Sequence, residues 1–151
     1  MISKRSFCIH GHFYQPTRED PFSGTIPEEP GAAPYKNWND HALETCYRPN
    51  AKLRNFSRIS FNLGPTLVRW MQEVAPEVLE SIVKEDEVNQ TIYGAGNAIA
   101  QSYHHSILPL ANSRDKRTQV KWGISAFENL FHRAPEGMWL PETAVDVETL
   151  S

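Results

Sequence analysis

The feature that most constrains the fold is the junction at Gly64-Pro65, where a strand pattern passes directly into a helix pattern. Residues 58–64 alternate polar and apolar side chains, which is typical of a β-strand, and a glycine closes the run. Proline is best tolerated in the first turn of a helix, and the apolar residues that follow it recur at helical spacing as far as residue 83. The pattern therefore predicts a strand and then a helix that bends or restarts at Pro76.

The same order of elements recurs along the chain. Further strands are predicted over residues 6–12, 88–93 and 137–140, and helices over 97–111, from Asn112 or Ser113 to Pro135, and over 144–151. The first strand has little alternation, which indicates burial on both faces. Strands that alternate with helices predict an α/β fold with parallel strands and right-handed crossovers.

Parallel strands place their functional groups at one edge, beyond the carboxyl ends. Four strands with a last helix cut short do not close a barrel, and an open sheet of this size leaves an unpaired edge. We therefore expect residues 1–151 to form a single domain that is the N-terminal portion of a (β/α) barrel, incomplete in this chain.

A proline-rich segment separates the first two strands. Residues 15–50 contain six prolines and cannot form one regular element. Their aromatic residues argue against disorder, because disordered segments are poor in aromatics. A long ordered loop in a compact domain is usually functional, so we expect a functional loop over about 15–50.

Composition excludes several classes of partner. The chain has 151 residues, 40% of them hydrophobic, and a formal net charge of −3. Its basic residues are scattered among acids, so nucleic acid is not an expected partner. The N-terminus has no secretory or membrane-spanning apolar run, so we expect a cytoplasmic protein with no membrane partner whose two cysteines are free thiols. The sequence does not indicate an oligomeric state.

The first strand delivers His10 and His12 to its carboxyl end, with Gln15 shortly after them. Two imidazoles on one side of a strand are typical of metal-dependent hydrolases, where His104 or His105 would supply a third ligand. Imidazoles, an amide and a stacking aromatic such as Phe13 or Tyr14 also suit the hydroxyl groups and apolar ring faces of a sugar. Both chemistries stay open on the residues alone.

The last predicted strand leads to Glu142, three residues after Trp139. A glutamate after a strand is often only the acid at a helix N-terminus. Here it falls in the same strand-end layer as the histidines, and the Leu140-Pro141 turn restricts its direction. Glu142 is therefore a candidate nucleophile for the cleavage of a sugar.

Six segments together resemble the N-terminal catalytic region of glycoside hydrolase family 57, whose members include amylases, 4-α-glucanotransferases and branching enzymes. They are HGHFYQPTREDPF at 10–22, CYRPN at 46–50, ISFNLGPTL at 59–67, GNAIAQSYHHSILPLA at 96–111, RDKRTQVKWGI at 114–124 and PEGMWLPETAVD at 135–146. The resemblance extends over essentially the whole chain, which makes it more specific than any single motif.

The resemblance implies an irregular seven-stranded (β/α) barrel and a retaining reaction on the α-glucosidic bonds of an α-glucan or maltooligosaccharide, without a cofactor or metal. Glu142 occupies the position of the family's nucleophile. His10, His12, His105 and Trp139 match positions that would bind substrate, and Gln15 joins them on chemical grounds. Whether hydrolysis, transfer or branching dominates does not follow from these segments.

The resemblance departs at the general acid, which in the family is an aspartate on a later strand. No aspartate of this chain lies in a matching motif, so we expect an N-terminal fragment of a longer enzyme, inactive by itself. Two alternatives stay open. One is a metal-dependent hydrolase or deacetylase with His10 and His12 as ligands, and the other is a non-catalytic carbohydrate-binding module.

Overall fold

The computed structural model describes residues 5–151. Its strands are β1 (His10–Phe13), β2 (Ser60–Leu63), β3 (Ala100–Gln101) and β4 (Met138–Trp139). Its α-helices are α1 (Trp38–Ala42), α2 (Arg48–Lys52), α3 (Pro65–Val74), α4 (Pro76–Tyr93) and α5 (Ser113–Phe131), and a π-helical turn over Leu43–Tyr47 joins α1 to α2. None of the helices in this part of the chain is long and apolar enough to cross a bilayer.

All four strands run parallel. β1 pairs with β2, and β3 pairs with β4. A parallel bridge between Phe61 and Ala98 connects the two pairs, so the spatial order of the strands follows the order of the sequence. Helices α3 and α4 connect β2 to β3, and α5 connects β3 to β4. The predicted α/β architecture with parallel strands is confirmed at this level.

The two sides of β1 and β2 have different roles because strand side chains alternate. In the parallel register His10 lies opposite Ser60, and His12 lies opposite Asn62. The alternate residue Phe61 is fully buried in the hydrophobic core, where its ring packs against Phe56 and Phe131. One side of this pair of strands therefore anchors the core, and the other presents the polar residues.

The helix predicted from Pro65 forms in two parts, as expected. Pro65 occupies the first turn of α3, and Pro76 begins α4 after a non-helical residue at Ala75. Helix α4 then continues to Tyr93, so the strand predicted over residues 88–93 is wrong. The helix ends only at Gly94, whose φ of 73° is readily adopted by glycine and whose N–H bonds back to Gln90 O.

The helix predicted over residues 97–111 is also wrong. That segment holds the short strand β3, a turn, and a 3₁₀ turn over Leu108–Leu110. A short apolar run does not distinguish a buried strand from a buried helix, and here tertiary contacts decide. Helix α5 crosses β3 so closely at Gly123 that a Cβ there would lie 1.9 Å from Gln101 O.

Three further segments differ from the predictions. Residues 5–9 are not buried on both faces, since Phe7 is 89% exposed and, among the described residues, β1 pairs with β2 alone. Residues 144–151 form turns instead of a helix, in which Asp146 accepts a hydrogen bond from the Thr149 N–H. The predicted loop over 15–50 becomes helical at Trp38, after Asn37 caps α1 by accepting from the Asp40 N–H. Both cysteines are free.

Candidate active site

Residues at or just beyond the carboxyl ends of the four strands meet in one cluster. His12 from β1 stacks on Trp139 from β4, with ring centroids 3.7 Å apart and an interplanar angle of 13°. Asn62 from β2 lies between His12 and Gln101 from β3 and hydrogen-bonds to both. Parallel pairing brings these distant segments together, as the sequence predicted for strand ends.

Asn62 is the buried centre of the cluster, with no exposed surface. Its Nδ2 lies 2.9 Å from His12 Nδ1 and also donates to Gln101 Oε1. Its Oδ1 lies 3.0 Å from His10 Nε2, and the Ser60 hydroxyl lies 2.9 Å from the other ring nitrogen of His10. Both histidines of the first motif are thereby held by one amide.

His105 approaches from the turn after β3. Its φ of 57° places the backbone in the left-handed region, which is uncommon for a residue other than glycine. Its Nε2 lies 3.0 Å from His12 Nε2, and its ring stacks on Tyr14 with centroids 4.1 Å apart. Two imidazoles so close cannot both carry protons on the facing nitrogens, so one donates to the other.

Glu142 stands at the open side of the cluster. Its Oε1 lies 3.9 Å from His105 Nε2, and its side chain is 65% exposed. The 3₁₀ turn Pro141–Thr143 holds Glu142 at φ 56° and Thr143 at φ 53°, both in the left-handed region. Each such residue costs about 1 kcal/mol or more, and strain of this kind concentrates at functional sites.

Burial lowers the pKa of His12 from its ordinary value of 6.5. Desolvation is the largest cause, and the neighbouring imidazoles of His105 and His10 act in the same direction. His12 is therefore neutral at pH 7 and offers one N–H donor and one acceptor nitrogen instead of a cationic charge.

The structure brings together four of the residues that the sequence predicted: His12, His105, Trp139 and Glu142. His10 lies one step away, with both ring nitrogens engaged by Ser60 and Asn62. Gln15 lies outside the cluster, where its amide contacts the Tyr47 hydroxyl at 3.3 Å and accepts from Arg18.

Two residues near the site, His104 and Asn62, differ from what the sequence predicts. His104, a possible third metal ligand, points away from the cluster and contacts the side chain of Gln119 instead. Asn62 is not among the residues predicted for the site. Its register two residues after Ser60, on the same side as the paired histidines, is the signal that could have identified its role.

The arrangement gives little support to the predicted metal pair. Both ring nitrogens of His10 are already hydrogen-bonded to protein groups, so His10 and His12 do not form an open pair of ligands. Within residues 5–151 no group of three or more histidine, cysteine, aspartate or glutamate side chains is arranged to hold a metal ion.

The aspartates of the described residues are engaged away from Glu142. Asp20, Asp40, Asp86, Asp115 and Asp146 accept hydrogen bonds from turn amides, capping asparagines, Arg133, Lys116 or Thr149. Asp146 lies nearest in sequence, and its hydrogen bonds with Thr149 and Lys116 lower its pKa to about 2. An acid of this strength is ionised at neutral pH and does not serve as a proton donor.

The sequence matches the model of the family described as Glycosyl hydrolase family 57 over residues 7–151. The crystal structure of 4-alpha-glucanotransferase from Thermococcus litoralis matches the fold with a TM-score of 0.61. The two sequences are 16% identical, and the match covers 89% of this chain and 18% of that chain. At this identity the likeness is one of fold. A comparison with curated proteins found no match.

Proposed function

The chain belongs to glycosyl hydrolase family 57, and we propose from this premise that the whole protein cleaves or transfers the α-glucosidic bonds of an α-glucan. The observation that carries the proposal is the position of Glu142. Its carboxylate is exposed and faces a pair of imidazoles above a tryptophan, 3.9 Å from His105 Nε2. A carboxylate beside hydrogen-bonding imidazoles and an aromatic surface suits a sugar substrate.

The substrate would be held by His12, His105 and Trp139. Apolar sugar faces pack on aromatic rings, and sugar hydroxyl groups exchange hydrogen bonds with neutral imidazoles. The lowered pKa of His12 supports this role because a neutral imidazole both donates and accepts. His10 would act through Asn62, and Gln15 would support the loop near Tyr47 instead of touching the sugar.

We propose a retaining mechanism with Glu142 as the nucleophile. A Glu142 oxygen attacks the anomeric carbon and forms an ester to the sugar, while the bond from that carbon to the leaving oxygen breaks. The leaving oxygen takes the electron pair and receives a proton from a general acid. Water or an acceptor hydroxyl then attacks the anomeric carbon and releases the Glu142 carboxylate. The residue that acted as the general acid takes the proton from the attacking oxygen.

The general acid would come from outside the described residues, because their aspartates are engaged elsewhere. A retaining enzyme needs its two carboxyl groups roughly 5–5.5 Å apart. We therefore propose that residues 1–151 are the first part of an irregular seven-stranded (β/α) barrel and that a later strand delivers the acid beside Glu142. The exposed edge of β1 is compatible with such a partner strand.

The proposal is tested by trapping the ester on the full-length enzyme. A fluorine-substituted α-glucosyl fluoride supplies a good leaving group and slows the second step, so the sugar accumulates on the nucleophile. Mass spectrometry of a protease digest should find the added sugar on the peptide that contains Glu142. The control is a Glu142→Gln enzyme, whose digest should carry no label.

Other outcomes would contradict the proposal in different ways. A label on another residue would remove Glu142 as the nucleophile. Binding of maltooligosaccharides without any label or turnover by the longest natural chain would favour a carbohydrate-binding module. Activity that disappears with a chelator and returns with zinc would favour the metal-dependent hydrolase.

A further inference from the structure

The side-chain amide of Asn62 has a partner for each of its hydrogen-bonding groups. An amide provides two N–H donors and one acceptor oxygen. Nδ2 contacts Gln101 Oε1 and His12 Nδ1, and Oδ1 contacts His10 Nε2. If this fully buried amide rotated by half a turn, its oxygen would face Gln101 Oε1, which is also an acceptor, so the contact with Gln101 sets its orientation.

This orientation decides where His12 carries its proton. Asn62 Nδ2 only donates, so the His12 Nδ1 that lies 2.9 Å from it accepts and is unprotonated. The contact from Oδ1 to the same nitrogen is longer, at 3.2 Å. Gln101 supports the assignment, because its Oε1 is an acceptor that only the Nδ2 end of the Asn62 amide satisfies. A neutral His12 then carries its proton on Nε2.

We infer that Asn62 is a positioning residue that holds His12 in the Nε2–H tautomer and directs this N–H toward His105 and the open side of the cluster. In the structure His12 Nε2 lies 3.0 Å from His105 Nε2, close enough for this N–H to donate to it. One part of the inference rests on the proposed function, namely that this N–H donates to a sugar hydroxyl during the reaction. The tautomer itself is a property of the free protein.

His10 receives the complementary assignment. Asn62 Oδ1 only accepts, so His10 Nε2 carries a proton, and its Nδ1 accepts from the Ser60 hydroxyl. Ser60 contacts His10 but not His12, which makes Ser60→Ala a matched control for the effect of Asn62. This substitution should change the signals of His10 and leave the tautomer of His12 unchanged.

The test is nitrogen NMR on the full-length protein with ¹⁵N-labelled histidine at neutral pH. Two-bond ¹H–¹⁵N correlations distinguish protonated from unprotonated ring nitrogens, and the signals lost in His12→Gln identify this residue. We expect wild-type His12 to have an unprotonated Nδ1 and a protonated Nε2. In Asn62→Asp, which has nearly the same volume but only accepts, Nδ1 should become protonated.

Either of two results would overturn the inference. One is a wild-type His12 with its proton on Nδ1, which needs no variant and is informative even if substitutions at Asn62 prevent folding. The other is a folded Asn62→Asp protein in which the His12 tautomer is unchanged. Because the spectra are recorded without substrate, failure here is distinguishable from failure of the trapping experiment on Glu142.

Discussion

Two pairs in this molecule, Asp86–Arg133 and Glu142–His105, each join a carboxylate to a basic side chain, but they differ in burial and in the distance between the partners. Asp86 is 1% exposed and accepts two hydrogen bonds from Arg133, at 2.9 and 3.0 Å. Glu142 is 65% exposed, stands 3.9 Å from His105, and lies on a left-handed backbone. We call Asp86–Arg133, which is buried, the closed pair, and Glu142–His105, which is accessible to solvent, the open pair.

The surroundings of the closed pair explain its role. Asp86 also accepts from the Ala98 N–H, and Arg133 donates to Ala98 O, so the pair joins α4 and the segment after α5 to the start of β3. Gly96 allows this packing, because a Cβ there would lie 2.3 Å from both Arg133 Nη2 and Asp86 Oδ1. Each polar group has a partner, as expected for a structural anchor.

Structural and functional carboxylates of this chain differ in how completely protein groups satisfy their hydrogen bonds. A carboxylate whose hydrogen bonds are all satisfied by protein groups has little capacity left for a substrate. An exposed and incompletely paired carboxylate stays available to a ligand, and the left-handed backbone that holds it costs stability. Substitutions at Asp86–Arg133 should therefore change mainly stability, and substitution of Glu142 should change mainly activity.

The largest expected effect is on activity at the open pair. Glu142→Gln in the full-length enzyme should lower kcat by about four orders of magnitude or more, because the amide is a poor nucleophile. The midpoint of thermal unfolding should stay within about 2 °C of wild type, since Glu142 makes no close salt bridge.

Glu128→Gln is the matched control, because Glu128 is an exposed glutamate on α5. Its turnover and stability should equal those of wild type. A Glu142→Gln enzyme with normal turnover would show that the open carboxylate is not catalytic and would remove the functional half of the comparison.

The closed pair should respond in stability instead. Arg133→Met leaves the Asp86 carboxylate buried without its cationic partner, which should lower the free energy of unfolding by about 3–5 kcal/mol. Urea unfolding followed by circular dichroism measures this change. The molecules that remain folded should keep their turnover, because Arg133 does not contact the cluster around His12.

The control for this substitution is Arg48→Met, which removes a partly exposed arginine that pairs with Glu44 and Glu77. Surface ion pairs contribute only about 0–1 kcal/mol, so the loss should be small. Equal losses in the two variants would contradict the view that burial makes the Asp86–Arg133 pair a structural anchor.

The smallest expected effect tests the strain at the open pair. Thr143 is β-branched and adopts φ 53°, which glycine tolerates without strain. Thr143→Gly should therefore raise the free energy of unfolding by about 0.5–1 kcal/mol. Turnover should fall, since a more flexible turn holds the Glu142 carboxylate less firmly.

The control is Thr118→Gly within α5, where glycine should lower stability by a few tenths of a kcal/mol. Calorimetric unfolding of both variants measures whether each substitution raises or lowers the free energy of unfolding. If Thr143→Gly also lost stability, the left-handed turn would not be a source of strain, and the contrast with the relaxed anchor would have to rest on exposure alone.

Much of the architecture could be predicted from local patterns. The strand before Gly64, the helix start at Pro65 and the restart at Pro76 follow from residues that leave the backbone few choices. The structure of the short segments could not be predicted from local patterns. Residues 88–93 are helical because α4 continues without a stop to Gly94. Strand β3 depends on its pairing with β4 and on the bridge from Phe61 to Ala98 just before it.

The candidate site was predictable as a set of residues and unpredictable as a geometry. Trp139 ends β4, Glu142 follows it and His12 lies near the end of β1, and parallel strands gather such ends at one edge whatever the sequence between them. Local sequence does not reveal which of these side chains turn inward. His105 and Glu142 reach the cluster through left-handed backbone conformations that no pattern in the chain signals.

The sequence by itself therefore determined the α/β class with parallel strands, the family, and the residues from which a site could be made. Only the tertiary structure decided that Gln15 bonds to Tyr47, that His10 stands behind Asn62, and that Asn62 is the buried centre. The physical reason is that local order depends on neighbours in the chain, whereas hydrogen-bond partners in a buried network are chosen among residues about 40 to 90 positions apart.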